Sequence, residues 1–220
     1  MIIINFKNYK TGKKVLELAK KIEKHLPEAI VAVPPMYLGL VSFHTKLKAF
    51  AQHVDSKDGK RATGFTLPKS AKNAGAKGSL LNHSEHKISI KEMKKTIKNC
   101  NKLNLKIIAC SSNLPLVKEI KKLKPFAIAF EDPKLIGTGK SITKYNPDSI
   151  RKFVFLLKNT KILALCGAGI NSKEDYHEAL KLGCNGILLS SAIANSKNPE
   201  TFLKKLNIYN KKWKKNLLKN

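Results

Sequence analysis

Residues 127–140 read AIAFEDPKLIGTGK. The apolar run 127–130 is typical of a buried strand. It ends at the acid Glu131, which is followed by a loop that starts with Pro133 and closes with the glycine-rich segment 137–139. An acid at the exit of an apolar strand, next to such a loop, indicates a catalytic base beneath a movable lid. Taken alone, the stretch also fits a surface glutamate that begins a turn.

The same unit, an apolar strand followed by a helix or a helix-like segment, occurs eight times along the 220 residues. Strands that are apolar throughout and alternate with helices favour a parallel sheet. Eight such units predict a single α/β domain, a closed (β/α)8 barrel, with a doubly wound open sheet of fewer strands as the alternative. The predicted strands are 1–5, 29–33, 48–53, 78–81, 106–110, 127–130, 161–166 and 187–189.

Capping residues delimit several of the predicted helices. Asn146 before Pro147 predicts a side-chain cap on a helix that runs to about residue 158. Ser172 with Asp175 has the spacing of a capping box, and Asn198 before a proline predicts a last helix. The other predicted helices are 13–26, 37–47, 68–74, 89–103 and 114–123.

The barrel domain is predicted to span residues 1–206, and residues 207–220 form a basic C-terminal helix or tail. In the tail Tyr209, Trp213 and Leu217 recur at helical spacing among lysines, which is typical of a helix that covers a core. A basic amphipathic element for RNA or an anionic membrane is the alternative.

The net charge of +28 comes almost entirely from lysine, since Arg61 and Arg151 are the only arginines among 43 basic residues. Readout of bases and bidentate contacts to phosphate favour arginine, so the composition argues against a specific nucleic-acid partner. No apolar run has the length of a membrane span. We therefore predict a cytoplasmic protein without a membrane partner.

The four cysteines show neither CxxC pairing nor a histidine at zinc-ligand spacing. We interpret them as reduced, packed thiols, so the sequence predicts no metal site.

Polar residues follow the predicted strands at the end where (β/α)8 barrels carry their active sites. Asn5 and Lys7 follow the first strand, His83 the fourth and Glu131 the sixth. A carboxylate, an imidazole and an ammonium group together suit proton transfer next to a carbonyl group. Residues 83–86 can open a short helix, whose N-terminus would keep the imidazole neutral.

The ends of the last two strands add a second feature. A glycine-rich turn follows the seventh strand at Gly167–Gly169, and Ser190 and Ser191 follow the eighth. These are positions where barrels of this class commonly bind phosphate. The substrate is therefore predicted to be a small phosphorylated molecule. Each residue alone also has a structural explanation, because surface lysines and histidines that only form hydrogen bonds are common.

These segments resemble motifs of the triosephosphate isomerase family in its shorter archaeal form, and the resemblance covers about residues 2–206. The matching segments are Asn5-Phe-Lys7, Ala51-Gln-His53, Leu81-Asn-His-Ser-Glu85, Ala109-Cys110, Phe130-Glu-Asp-Pro-Lys-Leu-Ile-Gly-Thr-Gly139, Cys166-Gly-Ala-Gly-Ile170 and Gly186-Ile-Leu-Leu-Ser-Ser191.

The resemblance implies the interconversion of dihydroxyacetone phosphate and D-glyceraldehyde 3-phosphate through an enediolate, in glycolysis and gluconeogenesis and without a cofactor. It implies Glu131 as the base, His83 as the electrophile, Lys7 as the cation and Asn5 as an oxyanion donor. Glu85 and Ser84 would support these groups, with Glu85 as a partner of Lys7.

The resemblance also implies a phosphate site, a lid and an intersubunit contact. Thr63 and Gly64 would reach into a neighbouring subunit of a homotetramer or homodimer. The implied phosphate-binding residues are Ile136, Gly137, Gly169, Ser190, Ser191 and Ala192. The implied lid residues are Asp132, Pro133, Lys134, Leu135, Thr138 and Gly139.

Two residues depart from the family pattern. Asp132 stands where proline normally follows the catalytic glutamate; pointing inward it would raise the pKa of the base, and pointing outward it would only cap the loop. Ala192 replaces a glycine, and its methyl group would crowd the anion if the position required a positive φ.

The residues alone leave two other functions open. A phosphate-binding barrel with aldolase-like or biosynthetic chemistry would need a lysine nucleophile within a central strand or a set of metal ligands, and the sequence shows neither. A protein that uses its charge to bind RNA would show salt-dependent affinity and no turnover.

Overall fold

The computed structural model describes residues 1–59 and 61–207. Eight parallel strands close into a barrel in which each strand pairs with its neighbours in sequence and the last pairs with the first. The predicted (β/α)8 barrel is confirmed, and the open-sheet alternative is wrong. The strands are β1 (Ile2–Asn5), β2 (Ile30–Val33), β3 (Lys48–Ala51), β4 (Gly78–Leu81), β5 (Lys106–Ser111), β6 (Ala127–Phe130), β7 (Leu163–Cys166) and β8 (Gly186–Leu189).

Helices of the described residues follow each strand on the outside of the barrel. They are α1 (Lys13–His25), α2 (Leu38–His44), α3 (Pro68–Asn73), α4 (Ile90–Lys102), α5 (Leu114–Lys122), α6 (Ile142–Tyr145), α7 (Pro147–Leu157), α8 (Lys173–Lys181), α9 (Ser191–Ala194) and α10 (199–207), with 3₁₀ turns at Pro35–Tyr37 and Pro133–Leu135. None of these helices combines the length and the apolar character needed to cross a membrane.

The strands are buried on both faces, which explains their apolar sequences. In β1, Ile3 points into the barrel, whereas Ile2 and Ile4 pack against the surrounding helices. The interior is filled by side chains, and Phe50 needs a glycine opposite it: a Cβ at Gly78 would lie 2.5 Å from its ring and 2.0 Å from a backbone oxygen of β5. The barrel is therefore closed below the site.

Several predicted boundaries and caps need correction. The strand predicted over 48–53 ends at residue 51, and the one over 161–166 begins at residue 163. The helix predicted over 37–47 is a 3₁₀ turn followed by α2, and α6 was not predicted. The Ser172–Asp175 capping box is present. Asn146 precedes α7 but makes no side-chain cap, and its Nδ2 donates to Asp132 of the lid. The predicted C-terminal helix or tail lies outside the described residues, apart from residue 207.

Candidate active site

The carboxyl ends of the strands surround a cavity of about 230 Å³. Asn5, Lys7, His83 and Glu131, which the sequence places after three different strands, all line it. The closed barrel brings them together because parallel strands end at the same rim. The lid and the loops after β7 and β8 supply the remaining wall, with Ile136, Gly137, Gly139, Gly169, Ser190, Ser191 and Ala192 from the predicted set.

Glu131 follows β6 and is only 8% exposed. Its Oε2 atom has no hydrogen-bond partner and lies 3.6 Å from Nε2 of His83. Burial raises the pKa of this carboxyl to about 7; the Lys7 ammonium opposes that shift and the Glu85 carboxylate adds to it, while a hydrogen bond from the Cys110 thiol lowers the pKa. A buried acid that titrates near neutrality and has a free oxygen suits a general base.

The backbone of Gly167 allows this carboxylate to lie so deep. A Cβ at that position would lie 2.8 Å from Oε1 of Glu131 and 2.9 Å from the carbonyl oxygen of Leu188. The glycine at the end of β7 is therefore a steric requirement of the base.

His83 follows β4 and is also buried. Its Nδ1 atom accepts the backbone N–H of Glu85 at 3.2 Å, so the neutral ring carries its proton on Nε2, the atom that faces Glu131. Burial and then the Lys7 charge lower the pKa of His83, and Glu85 opposes them. The neutral ring is therefore expected, although the predicted short helix is wrong: residues 83–86 form a turn closed by the N–H of His86 on the carbonyl of His83, at 2.8 Å.

Asn82, which sequence reasoning missed, holds His83 in place from the preceding position. Its backbone is left-handed with φ of 58°. Its Nδ2 donates to the carbonyl of Cys110 at 2.9 Å, and its Oδ1 accepts the N–H of Ile88 at 3.0 Å. The available signal was an asparagine at a strand exit, since asparagine is among the non-glycine residues that most readily adopt this backbone.

Lys7 has a left-handed backbone with φ of 45°. Its N–H donates to Oδ1 of Asn5 at 2.9 Å, and its carbonyl accepts Nε2 of Gln52 at 2.9 Å. Its Nζ donates to Oε1 of Glu85 at 2.5 Å, as the resemblance implied. Ser84 lies between His83 and Glu85 in the turn formed by residues 83–86. The ammonium is thereby fixed at the edge of the cavity with Asn5 beside it.

The lid begins at Asp132, whose side chain points away from the base. Its Oδ1 accepts the N–H of Lys134 at 3.0 Å, and its Oδ2 accepts Nδ2 of Asn146 at 3.3 Å. The carboxylate is not among the groups that shift the pKa of Glu131. Of the two predicted orientations, the structure has the outward one, which caps the 3₁₀ turn Pro133–Leu135.

The far end of the lid meets the loop after β7. The side chain of Thr138 accepts the N–H of Lys140 at 3.1 Å and donates to the carbonyl of Leu135 at 2.9 Å. The carbonyl of Gly139 accepts Nδ2 of Asn171 at 2.7 Å. Asn171 also lines the cavity, as does Tyr9; both were missed because a single exposed polar residue has no pattern in sequence.

Two left-handed residues shape the loop after β7: Ala168 and Gly169 both have φ of 69°. A Cβ at Gly169 would lie 1.9 Å from the carbonyl oxygen of Lys140, so only glycine allows the lid to approach this closely. Ser190 donates to the carbonyl of Asn5 at 2.7 Å. Ala192 lies in the first turn of α9 and has no positive φ, so the methyl group causes no backbone strain.

Thr63 and Gly64 lie at an exposed turn, and Gly64 has φ of 83°. The base of their loop is held by two hydrogen bonds between Asp55 and Thr66, at 2.6 and 2.8 Å. The loop is thus a projecting arm on a fixed base. It lies apart from the residues that line the cavity.

These features define the class of protein: a (β/α)8 barrel with an acid–base centre beneath a lid, at the rim where such barrels bind phosphate. A sequence model of the triosephosphate isomerase family matches residues 1–209. The chain belongs to the triosephosphate isomerase family, and it is an isomerase.

Relatives with that name cover nearly the whole chain. The triosephosphate isomerase of Sulfolobus acidocaldarius is 42% identical over 207 residues, which are 91% of this chain and 90% of that protein. The Methanothermus fervidus enzyme is 38% identical over 214 residues, 94% and 96% of the two chains. The Methanocaldococcus jannaschii enzyme is 36% identical over 214 residues, 94% and 98% of the two chains. The resemblance to archaeal members is confirmed.

Proposed function

We infer that this chain interconverts dihydroxyacetone phosphate and D-glyceraldehyde 3-phosphate through an enediolate. The observation that carries the inference is the pair formed by Oε2 of Glu131 and Nε2 of His83, 3.6 Å apart above the closed barrel. A base and a neutral hydrogen-bond donor face one cavity. This arrangement suits the transfer of a proton between a carbonyl carbon and the carbon next to it. No metal or organic cofactor takes part in this proposal.

Glu131 removes the proton from the carbon next to the carbonyl group. The electron pair of that C–H bond forms the C=C bond of the enediolate, and the carbonyl oxygen takes the negative charge. A proton then moves from the hydroxyl group on the deprotonated carbon to the former carbonyl oxygen, which leaves the negative charge on the other oxygen. As that oxygen forms the new C=O bond, the same carboxyl returns its proton to the former carbonyl carbon, which completes the exchange of aldehyde and ketone. A pKa of about 7 makes the base effective at neutral pH, since both of its protonation states are accessible there.

His83 donates a hydrogen bond from Nε2 to the carbonyl oxygen. Its Nδ1 is occupied by the N–H of Glu85, which fixes the tautomer that has its proton towards the cavity. The lowered pKa keeps the ring neutral. A neutral imidazole therefore stabilises the developing oxyanion without first losing a proton.

Lys7 and Asn5 complete the oxyanion environment. The ammonium of Lys7 balances the charge of the enediolate and of the phosphate, while Glu85 holds it in position. Since Oδ1 of Asn5 accepts the N–H of Lys7, the Nδ2 of that amide is the group that donates to an oxyanion. Ser84 belongs to the turn that joins His83 to Glu85.

The phosphate binds on the opposite wall of the cavity, against the backbone of the loops after β6, β7 and β8. Backbone N–H groups in turns with left-handed residues, such as the one at Gly169, converge on an anion. The residues proposed for phosphate binding are Ile136, Gly137, Gly169, Ser190, Ser191 and Ala192, all of which line the cavity.

The lid residues Asp132, Pro133, Lys134, Leu135, Thr138 and Gly139 close over the bound substrate. An enediolate exposed to water would expel its phosphate group, so exclusion of water protects the intermediate. Ile136 lines the cavity from the lid and adds apolar surface over it.

A coupled assay on D-glyceraldehyde 3-phosphate tests the proposal. We expect isomerisation by the wild type and a loss of about 10²–10⁴-fold in kcat for Glu131→Gln. A phosphate-bearing carboxylate that mimics the enediolate should protect the wild type from thermal unfolding, and protect Ala192→Val less. Absence of turnover by the wild type, or full turnover by Glu131→Gln, would overturn the assignment.

We further propose that the enzyme works in the cytoplasm, in glycolysis and gluconeogenesis, as a homotetramer or homodimer. The four cysteines are free and buried, which suits a reducing compartment. The exposed arm at Thr63 and Gly64, next to Phe65 with 47% exposure, suits a subunit contact. Light scattering of the wild type and of Phe65→Asp measures the assembly: a smaller particle is expected for the variant.

A further inference from the structure

Two histidine rings stack behind the catalytic turn, outside the cavity. The ring centroids of His53 and His86 are 4.0 Å apart, with 16° between the ring planes. His53 lies two residues beyond the end of β3, and His86 lies three residues beyond His83. Neither ring lines the cavity, and the reaction as proposed above uses neither.

His86 belongs to the turn that carries two of the functional groups. Its N–H closes the turn on the carbonyl of His83. Within the same turn, Glu85 donates its N–H to the His83 ring and accepts a hydrogen bond from Lys7 on its carboxylate. A displacement of His86 would therefore move the imidazole and the partner of the ammonium together.

His53 is a fixed platform for this ring. Its Nε2 lies 3.4 Å from Oδ1 of Asp55, and Asp55 is tied to Thr66 through its own backbone N–H and its Oδ2. The Nδ1 atom of His53 is buried without a hydrogen-bond partner. The stacked ring of His86 covers this platform, so the stack connects a rigid loop base to the catalytic turn.

We propose that His86 is a positioning residue for the isomerisation: by stacking on His53 it holds the 83–86 turn, and the turn loosens in acid when both rings become charged. This inference rests on the proposed roles of His83 and Lys7. It adds a residue that acts on the reaction through its neighbours and does not touch the substrate.

Burial and mutual repulsion disfavour the protonation of both rings. Burial and the charge of His86 lower the pKa of His53, whereas Asp55 and Glu92, in the first turn of α4, oppose that shift. Two parallel cationic rings at 4.0 Å repel each other. Asp55 and Glu92 are the acidic groups that favour a charge on His53, and a charge on both rings would weaken the stack.

Three variants separate ring stacking from charge. His86→Phe keeps a stacked ring that cannot be protonated, and His86→Ala removes the ring. His44→Ala is the matched control, because His44 is an exposed histidine on α2 away from the cavity. At pH 8 we expect kcat to fall about 5–50-fold in His86→Ala with KM changed by less than about threefold, since misplaced catalytic groups affect the transition state most. His86→Phe and the control should keep kcat within about threefold.

The acid limb of the pH profile tests the charge coupling. Glu131 and the substrate phosphate titrate alike in the wild type and in His86→Phe, so a comparison of the two cancels their contributions. At acid pH the logarithm of kcat/KM should fall more steeply with decreasing pH in the wild type than in His86→Phe, with a slope larger by about one. The ring resonances of His53, followed by NMR, should show a higher pKa in His86→Phe than in the wild type.

Each outcome decides one part of the inference. An unchanged kcat in His86→Ala overturns the positioning role, and circular dichroism with a thermal melt shows whether that variant is folded. Identical acid limbs in the wild type and His86→Phe, together with an unchanged pKa of His53, overturn the coupling. If the wild type itself does not isomerise triose phosphates, the proposed function has failed, whereas the NMR titration still reports on the stack.

Discussion

The carboxylate oxygen Oε2 of Glu131 lies 3.6 Å from Nε2 of His83 and has no hydrogen-bond partner. The two atoms come from loops after β6 and β4 and face each other across the cavity. This distance is too long for a strong hydrogen bond between them. Both groups are therefore available to a substrate that lies in the cavity, one as proton acceptor and one as donor.

The raised pKa of Glu131 predicts the acid limb of activity. Since the base must be ionised, kcat/KM of the free enzyme should fall tenfold per pH unit below a pKa of about 7. Measurement of kcat/KM from pH 5 to 9, with a substrate analogue titrated separately, checks this value. A limb centred near 4.5, the ordinary value for glutamate, would contradict it.

The same carboxyl predicts a gain of stability when it is neutralised. In the folded chain its pKa lies above the unfolded value of 4.5, so the native state binds the proton more tightly and loses stability as pH rises from 4.5 to about 7, above which the penalty is complete. At pH 8, Glu131→Gln should raise the free energy of unfolding by up to about 3 kcal/mol, from 1.36 kcal/mol per pKa unit. The gain should shrink as pH falls towards 5.

Urea unfolding of wild type and Glu131→Gln at pH 8 and pH 5.5 measures this difference. His53 and His83 act in the opposite direction, because their lowered pKa values make the native state lose stability as pH falls through 6.5. Both proteins share those histidines, so the comparison removes their contribution. Equal stability of the two at pH 8 would contradict the prediction.

The deep position of Glu131 also depends on Gly167. In Gly167→Ala the new Cβ would lie 2.8 Å from Oε1 of Glu131 and 2.9 Å from a backbone oxygen that cannot move freely. The carboxylate must shift, and we expect kcat to fall about 10–100-fold with little change in KM. Steady-state kinetics on glyceraldehyde 3-phosphate measure both constants.

The matched control for this variant is Gly39→Ala. Gly39 lies in α2, and a Cβ there would make an ordinary contact of 3.5 Å with Phe43. Activity should be unchanged, and stability should rise slightly because alanine has a higher helix propensity than glycine. A normal kcat in Gly167→Ala would show that the base tolerates displacement.

Much of this architecture could be predicted from the sequence because it follows from local patterns. Apolar strands such as 127–130 alternate with amphipathic helices, and closure of eight of them places Glu131, His83 and Lys7 at one rim. The contacts that orient these residues could not be predicted, since they join distant parts of the chain. Asn82, whose backbone is left-handed, donates to the carbonyl of Cys110, 28 positions away.

Asn146 shows the limit of local rules most clearly. Its position before Pro147 has the pattern of a helix cap, but its side-chain amide donates to Asp132 at 3.3 Å. A cap would require Oδ1 of Asn146 to accept a helix N–H, and that bond is absent in the orientation in which Nδ2 donates to Asp132. A sequence pattern cannot show that orientation, because the lid and the start of α7 become neighbours only in the folded chain.

This contact predicts that Asp132 and Asn146 act on the lid as a pair. Asp132→Ala removes the cap of the 3₁₀ turn, and Asn146→Ala removes one of its two hydrogen bonds. Each change should lower kcat/KM about 2–10-fold, which corresponds to about 0.5–1.5 kcal/mol for a lost hydrogen bond. Because the residues share one contact, the double variant should be no worse than Asp132→Ala alone.

A double-mutant cycle on kcat/KM measures that coupling, and the pH profile of Asp132→Ala gives an independent reading. The Asp132 side chain points away from the base and does not shift its pKa, so the acid limb of this variant should stay at a pKa of about 7. Multiplicative losses in the double variant would show that the two residues act separately. A fall in the pKa of the acid limb would show that the carboxylate turns towards Glu131 during catalysis.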